Sequence, residues 1–417
     1  MRATKVNQRN ATQAEAVSLG LLFAAMFTVA LGYGAILPTL PFMLERLLDG
    51  ASSARVASHT GLISGTYMFA IFVFAPLWGR ISDRAGRKTV LLTGLGGYVV
   101  TLVAFGLAES LWALYAARAL AGAFVSAVLP VSSAYVSQTG SEEQRARRLA
   151  GLGAASLLGF LMGPAVSGWA FDVAKAVQTG INPHTLSMVP LYVTAALGVP
   201  VWLRMFFSLE EVSLGRTQPR KGAAAPKNAT GKSLLGLLGA NLLVTYALGS
   251  FEVSIALQGR QTLGLDPYRV GIMFMECSLI MVAIQALIFC FPVLKRLSGT
   301  LVLVFGFLAM TAGFLLLPIV TAYNAMLLMV ALVAGGSGIL LPFLTYRISF
   351  SAPLGLGTTL GLQTAAASLG QGIGSAAGGW LFGLWNNSSF FMTAAVSLLG
   401  ALLALFAGNT LFKDSAK

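Results

Sequence analysis

Along its 417 residues the chain alternates between long apolar runs and short polar connections. Twelve runs stand out, at about 17–44, 57–80, 89–108, 111–137, 147–171, 187–207, 233–260, 268–293, 300–320, 324–349, 356–383 and 388–411. A helix of about 20 mostly apolar residues crosses the hydrocarbon core of a bilayer, so each run predicts one transmembrane helix. Inside a bilayer the backbone has no water to bond, and a helix satisfies its own polar groups. The pattern therefore predicts an all-α membrane protein with twelve spans.

The polar connections carry a second signal. Basic residues gather in the even-numbered ones: Arg80, Arg84, Arg87 and Lys88, then Arg145, Arg147 and Arg148, then Arg216, Arg220, Lys221, Lys227 and Lys232, then Lys295 and Arg296, then Arg347. The odd-numbered connections hold few basic residues, and those after the third, ninth and eleventh runs hold none. Cytoplasmic loops are the ones enriched in Lys and Arg. Both termini are thus expected in the cytoplasm of a multi-pass plasma membrane protein, in a bacterium the inner membrane. The first sixteen residues are polar, with Arg2, Lys5 and Arg9 against Glu15. The apolar run behind them is longer than the core of a signal peptide, and reads as an uncleaved first span.

One connection is long. Residues 208–232 are rich in Lys, Gly, Ala and Pro and have no apolar period, as in a flexible linker. They separate an amino-terminal bundle, residues 1–207, from a carboxy-terminal bundle, residues 233–417, each of six spans. The halves echo one another. Gly163 to Trp169 (GPAVSGW) matches Gly374 to Trp380 (GSAAGGW), and Pro130 matches Pro342, at offsets of 211 and 212 residues. Two pseudo-symmetric six-helix bundles are expected, with a substrate site at their interface reached by rocking one half against the other.

Composition agrees. The chain is 56% hydrophobic and 10% charged, with a mean hydropathy of +0.80, against about 25% charged in soluble domains. A net charge of +13 invites a nucleic-acid reading, but the charges sit in short inter-run segments rather than on one surface, and no nucleic-acid partner is expected. Cys277 and Cys290 share one run, thirteen residues apart. On a helix that is about 20 Å, beyond the reach of a disulfide.

The second connection reads Gly79-Arg80-Ile-Ser-Asp83-Arg84-Ala-Gly86-Arg87-Lys88. It resembles the signature of the major facilitator superfamily between its second and third helices, with Ile81 and Ser82 as mild departures. The two glycines permit close approach and a tight turn. Asp83 beside three cations is suited to charge-assisted hydrogen bonds and to capping a neighbouring helix, as a gate requires. The fourth run contains Leu114-Tyr-Ala-Ala-Arg118-Ala-Leu-Ala-Gly122, similar to a motif of proton-coupled members, with Ala121 in place of a frequent Gln. Arg118 is either buried and functional or snorkels to the outer interface. The fifth run has Gly159-Phe-Leu-Met-Gly163-Pro164-Ala-Val-Ser-Gly168, which resembles the signature of the superfamily's exporters, Ser167 replacing a Gly. Small residues four apart let helices pack backbone to backbone. Leu37-Pro-Thr-Leu-Pro41 is again like the twelve-helix drug/proton antiporters.

Proton coupling needs an ionisable group inside the spans. Glu252 in the seventh run and Glu276 in the eighth lie eight or so residues from the outer side, about 12 Å deep at 1.5 Å per residue. They are the expected proton- and cation-sensing acids, with Arg118 as the positive partner. The alternative is that either acid serves a neighbouring helix, Arg260 or a serine. Tyr33, Tyr67, Tyr246, Gln258, Gln285, Gln363 and Gln371 are polar groups within runs, and some are expected to line a substrate cavity.

The resemblance implies a secondary active transporter that carries a drug-like compound or a siderophore outward in exchange for protons, by alternating access, with multidrug resistance or siderophore export as its role. An importer of a siderophore or metabolite is the alternative, and a non-transporting membrane sensor a third reading. No phosphate loop, metal cluster or catalytic triad stands out in the sequence. The expectation is a monomer in the lipid bilayer that binds a small molecule, is not an enzyme, and needs no cofactor or metal beyond the proton gradient.

Overall fold

The computed structural model describes residues 2–136, 142–177, 183–211, 231–290, 298–350 and 356–411. Among them are thirteen α-helices and no strand. They are α1 (Arg2–Ile36), α2 (Leu40–Leu47), α3 (Ser53–Ala85), α4 (Arg87–Gly106), α5 (Leu111–Val136), α6 (Glu142–Val177), α7 (Pro183–Ser208), α8 (Gly231–Leu257), α9 (Pro267–Cys290), α10 (Gly299–Leu316), α11 (Tyr323–Phe350), α12 (Leu356–Leu384) and α13 (Ser388–Leu411). A π-helical turn, Gln258–Thr262, continues α8. Most of the 208–232 linker and the Lys295–Arg296 pair fall outside the described residues.

The first apolar run is divided. α1 ends at Ile36, and α2 starts at Leu40 with Pro41 in its first turn. Pro38 and Pro41 cannot donate to a continuing helix, whereas a proline in the first turn gives up nothing. Elsewhere Pro76, Pro130, Pro164, Pro190, Pro200 and Pro342 lie inside helices, where bundle neighbours and local adjustment satisfy the freed carbonyls.

Eleven described helices are long and apolar enough to cross a membrane. α12 is not among them, although it is 29 residues long. Its glycines, Gln363, Gln371 and hydroxyl residues lower its hydropathy because it packs by backbone contact. With α12 the twelve-span architecture stands. Large apolar side chains lie on the outside, among them Val100, Trp112, Phe207, Phe305 and Phe406, as a lipid-facing surface requires.

By packing the chain forms two compact units. The first comprises Met1–Ile36 and Val73–Gln218, the second Leu37–Phe72 and Pro219–Lys417. In the first unit α1 lies along α6 and α4 along α5, with α7 against α1 and α4. Tyr98 and Phe105 are fully buried there, and the Tyr98 hydroxyl donates to the Val29 carbonyl at 3.0 Å. In the second, α12 lies along α8, α13 along α10 and α11 against α9 and α10. Phe251 meets Phe314 edge-on, and Phe382 meets Phe390 likewise. Residues 37–72 pack with the second unit although they precede the linker by more than a hundred positions.

Candidate functional site

In the first unit the Gly79–Lys88 segment joins α3 to α4. Gly86 has φ +92°, a conformation natural to glycine, and a Cβ there would meet a Glu211 carboxylate oxygen at 2.5 Å. Glu211 Oε1 accepts the Arg87 backbone N–H at 2.8 Å. The first N–H groups of a helix lack intrahelical acceptors and carry positive potential, so this acid caps α4. The Arg87 side chain is buried and donates to the Ala134 carbonyl of α5. Next to it, the Tyr135 hydroxyl donates to the Glu210 carbonyl at 3.0 Å. Asp83, Arg80 and Arg84 are exposed, and Lys88 is half-buried. The sequence offers Asp83 for a cap on a neighbouring helix; the acid found at the first turn of α4 is Glu211.

The fifth-run glycines, on α6, meet α1. A Cβ on Gly163 would press on the Leu31 carbonyl and the Ala35 nitrogen at 2.7 Å, and one on Gly34 on the Phe160 carbonyl at 2.7 Å. Gly159 faces the Phe27 carbonyl in the same way, and Pro164 and Gly168 are buried beside it. The helices touch backbone to backbone, as small-residue spacing predicts. Arg148 of α6 pairs with Glu15 of α1, each in the amino-terminal half of its helix.

Arg118 resolves in favour of burial. It is 1% exposed, with its guanidinium 5.3 Å from the Phe105 ring centroid and 6.0 Å from that of Tyr33. Tyr33 in turn stacks on Phe160 at 5.8 Å. A guanidinium over aromatic faces recovers part of the cost of leaving water.

The second unit holds the two acids. Glu252 on α8 is 8% exposed. Both of its carboxylate oxygens accept from Gln371 Nε2 of α12, at 3.2 and 3.0 Å. Glu276 on α9 is half-buried, and its Oε2 has no hydrogen-bond partner among the described residues. Buried Cys277 lies within electrostatic range of both acids. Ser254 Oγ and Gln258 Oε1, one turn apart on α8 and the π turn, and Ser64 Oγ of α3 are also buried without partners among the described residues. Buried polar atoms of this kind normally bind water or a ligand. Arg260, an alternative partner for Glu252 in the sequence, is engaged elsewhere. Its Nε and Nη2 reach Glu45 Oε2 of α2 at 2.8 and 2.7 Å, and its guanidinium lies 4.6 Å from the Phe42 ring centroid.

Of the remaining polar candidates, Tyr67 is buried and Tyr246 and Gln285 are half-buried. Gln363 ties helices together: its amide donates to Thr345 Oγ1 at 2.7 Å, and its backbone carbonyl accepts from Asn241 at 3.3 Å. No cluster of three metal-binding side chains occurs among the described residues.

A family model described as the Major Facilitator Superfamily matches residues 22–355. The chain belongs to this superfamily. It is 30% identical to the class D tetracycline resistance protein of Salmonella ordonez, over 78% of each chain. It is 24% identical to Multidrug resistance protein 1 of Bacillus subtilis (strain 168), over 93% of this chain and 96% of that one. Among solved structures, a bacterial homologue of the human lysosomal transporter Spinster, in an inward-facing, unoccupied conformation, shares the fold. It superposes with a TM-score of 0.75 at 14% identity, covering 96% of this chain and 98% of that one. The chain is a membrane transporter whose relatives include tetracycline and multidrug resistance proteins.

For a member of this superfamily, two local features escape sequence reading. Glu211 caps α4 from 124 residues away. Glu45 and Arg260 lie 215 apart. A short acidic step just after the sixth span, and an acid in an amphipathic turn after the first, are the only signals the sequence carries for them.

Proposed function

We propose that the protein exports a small organic molecule, drug-like or a siderophore, in exchange for protons, by alternating access. The observation that carries the reading is Glu252. A carboxylate held nearly out of solvent on a transmembrane helix, with an amide on both oxygens, is costly in a membrane and is the natural site for a proton that must change sides. Glu276, its Oε2 lacking a partner among the described residues, offers a second acid for a cationic or hydrogen-bonding part of the substrate. Arg118 supplies a buried positive charge in the first unit. The backbone packing of α1 on α6 at Gly159 and Gly163, together with the resistance proteins among the relatives, supports outward transport.

Everted and right-side-out vesicles test the direction. A tetracycline, a quinolone and a hydroxamate siderophore serve as probes. The reading expects at least one probe to accumulate in energised everted vesicles and to leak away on adding a protonophore. Accumulation only in right-side-out vesicles reverses it to import.

A further inference from the structure

We propose that Gln371 is the positioning residue through which the charge of Glu252 sets the packing of α12 against α3. The inference rests on the reading of Glu252 as the proton-coupling acid and adds the route by which the proton moves a helix.

The geometry lies within the second unit. An ionised carboxylate only accepts hydrogen bonds, so the group of Gln371 that faces it is the amide nitrogen. That nitrogen straddles both oxygens of Glu252, at 3.0 and 3.2 Å. A proton arriving on either oxygen turns an acceptor into a donor. The straddling contact shrinks to the one oxygen still free to accept, and the new O–H needs an acceptor of its own, which the Gln371 amide can supply only by turning its oxygen toward it.

The backbone around Gln371 has little slack to absorb that motion. A Cβ on Gly249 of α8 would run into the Gln371 carbonyl. One on Gly370 would meet Thr245 Oγ1 of α8 at 2.5 Å, and one on Gly374 the Tyr246 carbonyl. On the other side, a Cβ on Gly372 would meet Met68 Cβ of α3 at 3.3 Å and the Gly65 carbonyl at 3.4 Å. The α3 contact continues along the helix. A Cβ on Gly61 would meet the Ser375 carbonyl at 2.5 Å, and one on Gly383 the Ala54 carbonyl at 2.7 Å. α12 is thus wedged by close backbone contact between α8, which carries the acid, and α3. Close-packed backbone transmits displacement rather than absorbing it.

The other ionisable groups on the elements packed on α8 are few. α9 brings Tyr268 and Arg269 in its first turn, then Glu276 and Cys277, and ends on Cys290; the π turn brings Arg260, held by Glu45; α11 brings Tyr323, Tyr346 and Arg347 in its end turns. α12 and α13 bring none. α8 itself carries Lys232 in its first turn and Tyr246, and the 53–72 stretch of α3 carries Arg55, His59 and Tyr67.

Hydrogen exchange of the purified full chain, read by mass spectrometry at acidic and alkaline pH and normalised to intrinsic rates, tests the proposal without a ligand. In the wild type, protection of residues 53–72 and 370–383 is expected to change with pH by about tenfold, the scale of one hydrogen bond to a charged group. Gln371→Met, nearly isosteric but without a donor, should abolish that change, as should Glu252→Gln. A change that survives in Glu252→Gln overturns the reading of the acid itself. A change lost in Glu252→Gln but retained in Gln371→Met overturns this proposal alone, and so does a wild type with no pH-dependent change. Should Gln371→Met fail to fold, Gln371→Asn takes its place. It keeps the amide but shortens its reach by one methylene, and the same loss is expected.

Discussion

Glu211 accepts the backbone N–H of Arg87 at 2.8 Å, so the first residues of the inter-bundle connection cap the helix that follows the superfamily's signature segment. The contact fixes where that connection starts. It also explains Gly86, since any side chain there would displace the carboxylate. Removing the acid by Glu211→Ala leaves α4 without this cap and should cost about 1 kcal/mol. Thermal unfolding in detergent checks it, and Glu211→Gln, which keeps an acceptor, should lose less. A melting temperature for Glu211→Ala equal to the wild type's contradicts the capping role.

Arg118 is predicted to resist conservative replacement. Lysine keeps the charge but not the flat face that lies over Phe105 and Tyr33. Arg118→Lys should slow transport by about tenfold or more, the scale of losing 1–2 kcal/mol of buried cation–π contact. Initial rates in proteoliposomes measure it, with reconstituted protein quantified alongside.

The contact of α1 with α6 leaves no room at Gly163. Gly163→Val pushes a side chain against the Leu31 carbonyl and the Ala35 nitrogen. Overpacking of this kind should destabilise by about 1–3 kcal/mol. Gly153 is the matched control on the same helix, because a Cβ there would have nothing within 4 Å. Gly153→Ala should leave the unfolding temperature unchanged or slightly raised.

The Glu45–Arg260 pair is about one third exposed on each side. Water and salt screen such a pair, and a double-mutant cycle should return a coupling of about 0.2–1 kcal/mol that shrinks as salt is added. A salt-independent coupling of several kcal/mol would show that the pair works in a much drier setting than its exposure indicates.

Spans and the superfamily's signature segments are legible in the sequence because a bilayer imposes apolar runs of fixed length and because glycine and proline at close spacing have few uses. Arg118 is legible as well, being a guanidinium several residues inside an apolar run. Pairing is not legible. The sequence offers Arg260 as a partner for Glu252, yet Arg260 bonds Glu45 and Glu252 bonds Gln371, 119 residues on. Helical periodicity fixes which residues share a face of one helix, but not which distant helix faces it. The break after Ile36 is announced by Pro38 and Pro41. The packing of residues 37–72 with the carboxy-terminal helices is set by glycine contacts such as Gly61 on Gly379, which no local pattern reveals.

The central claim is that Glu252 carries the coupled proton. Transport of a probe in proteoliposomes, driven once by a pH gradient and once by substrate counterflow at equal pH, tests it in Glu252→Gln. Loss of the gradient-driven flux with counterflow retained is the predicted result; gradient-driven flux equal to the wild type's would contradict the account.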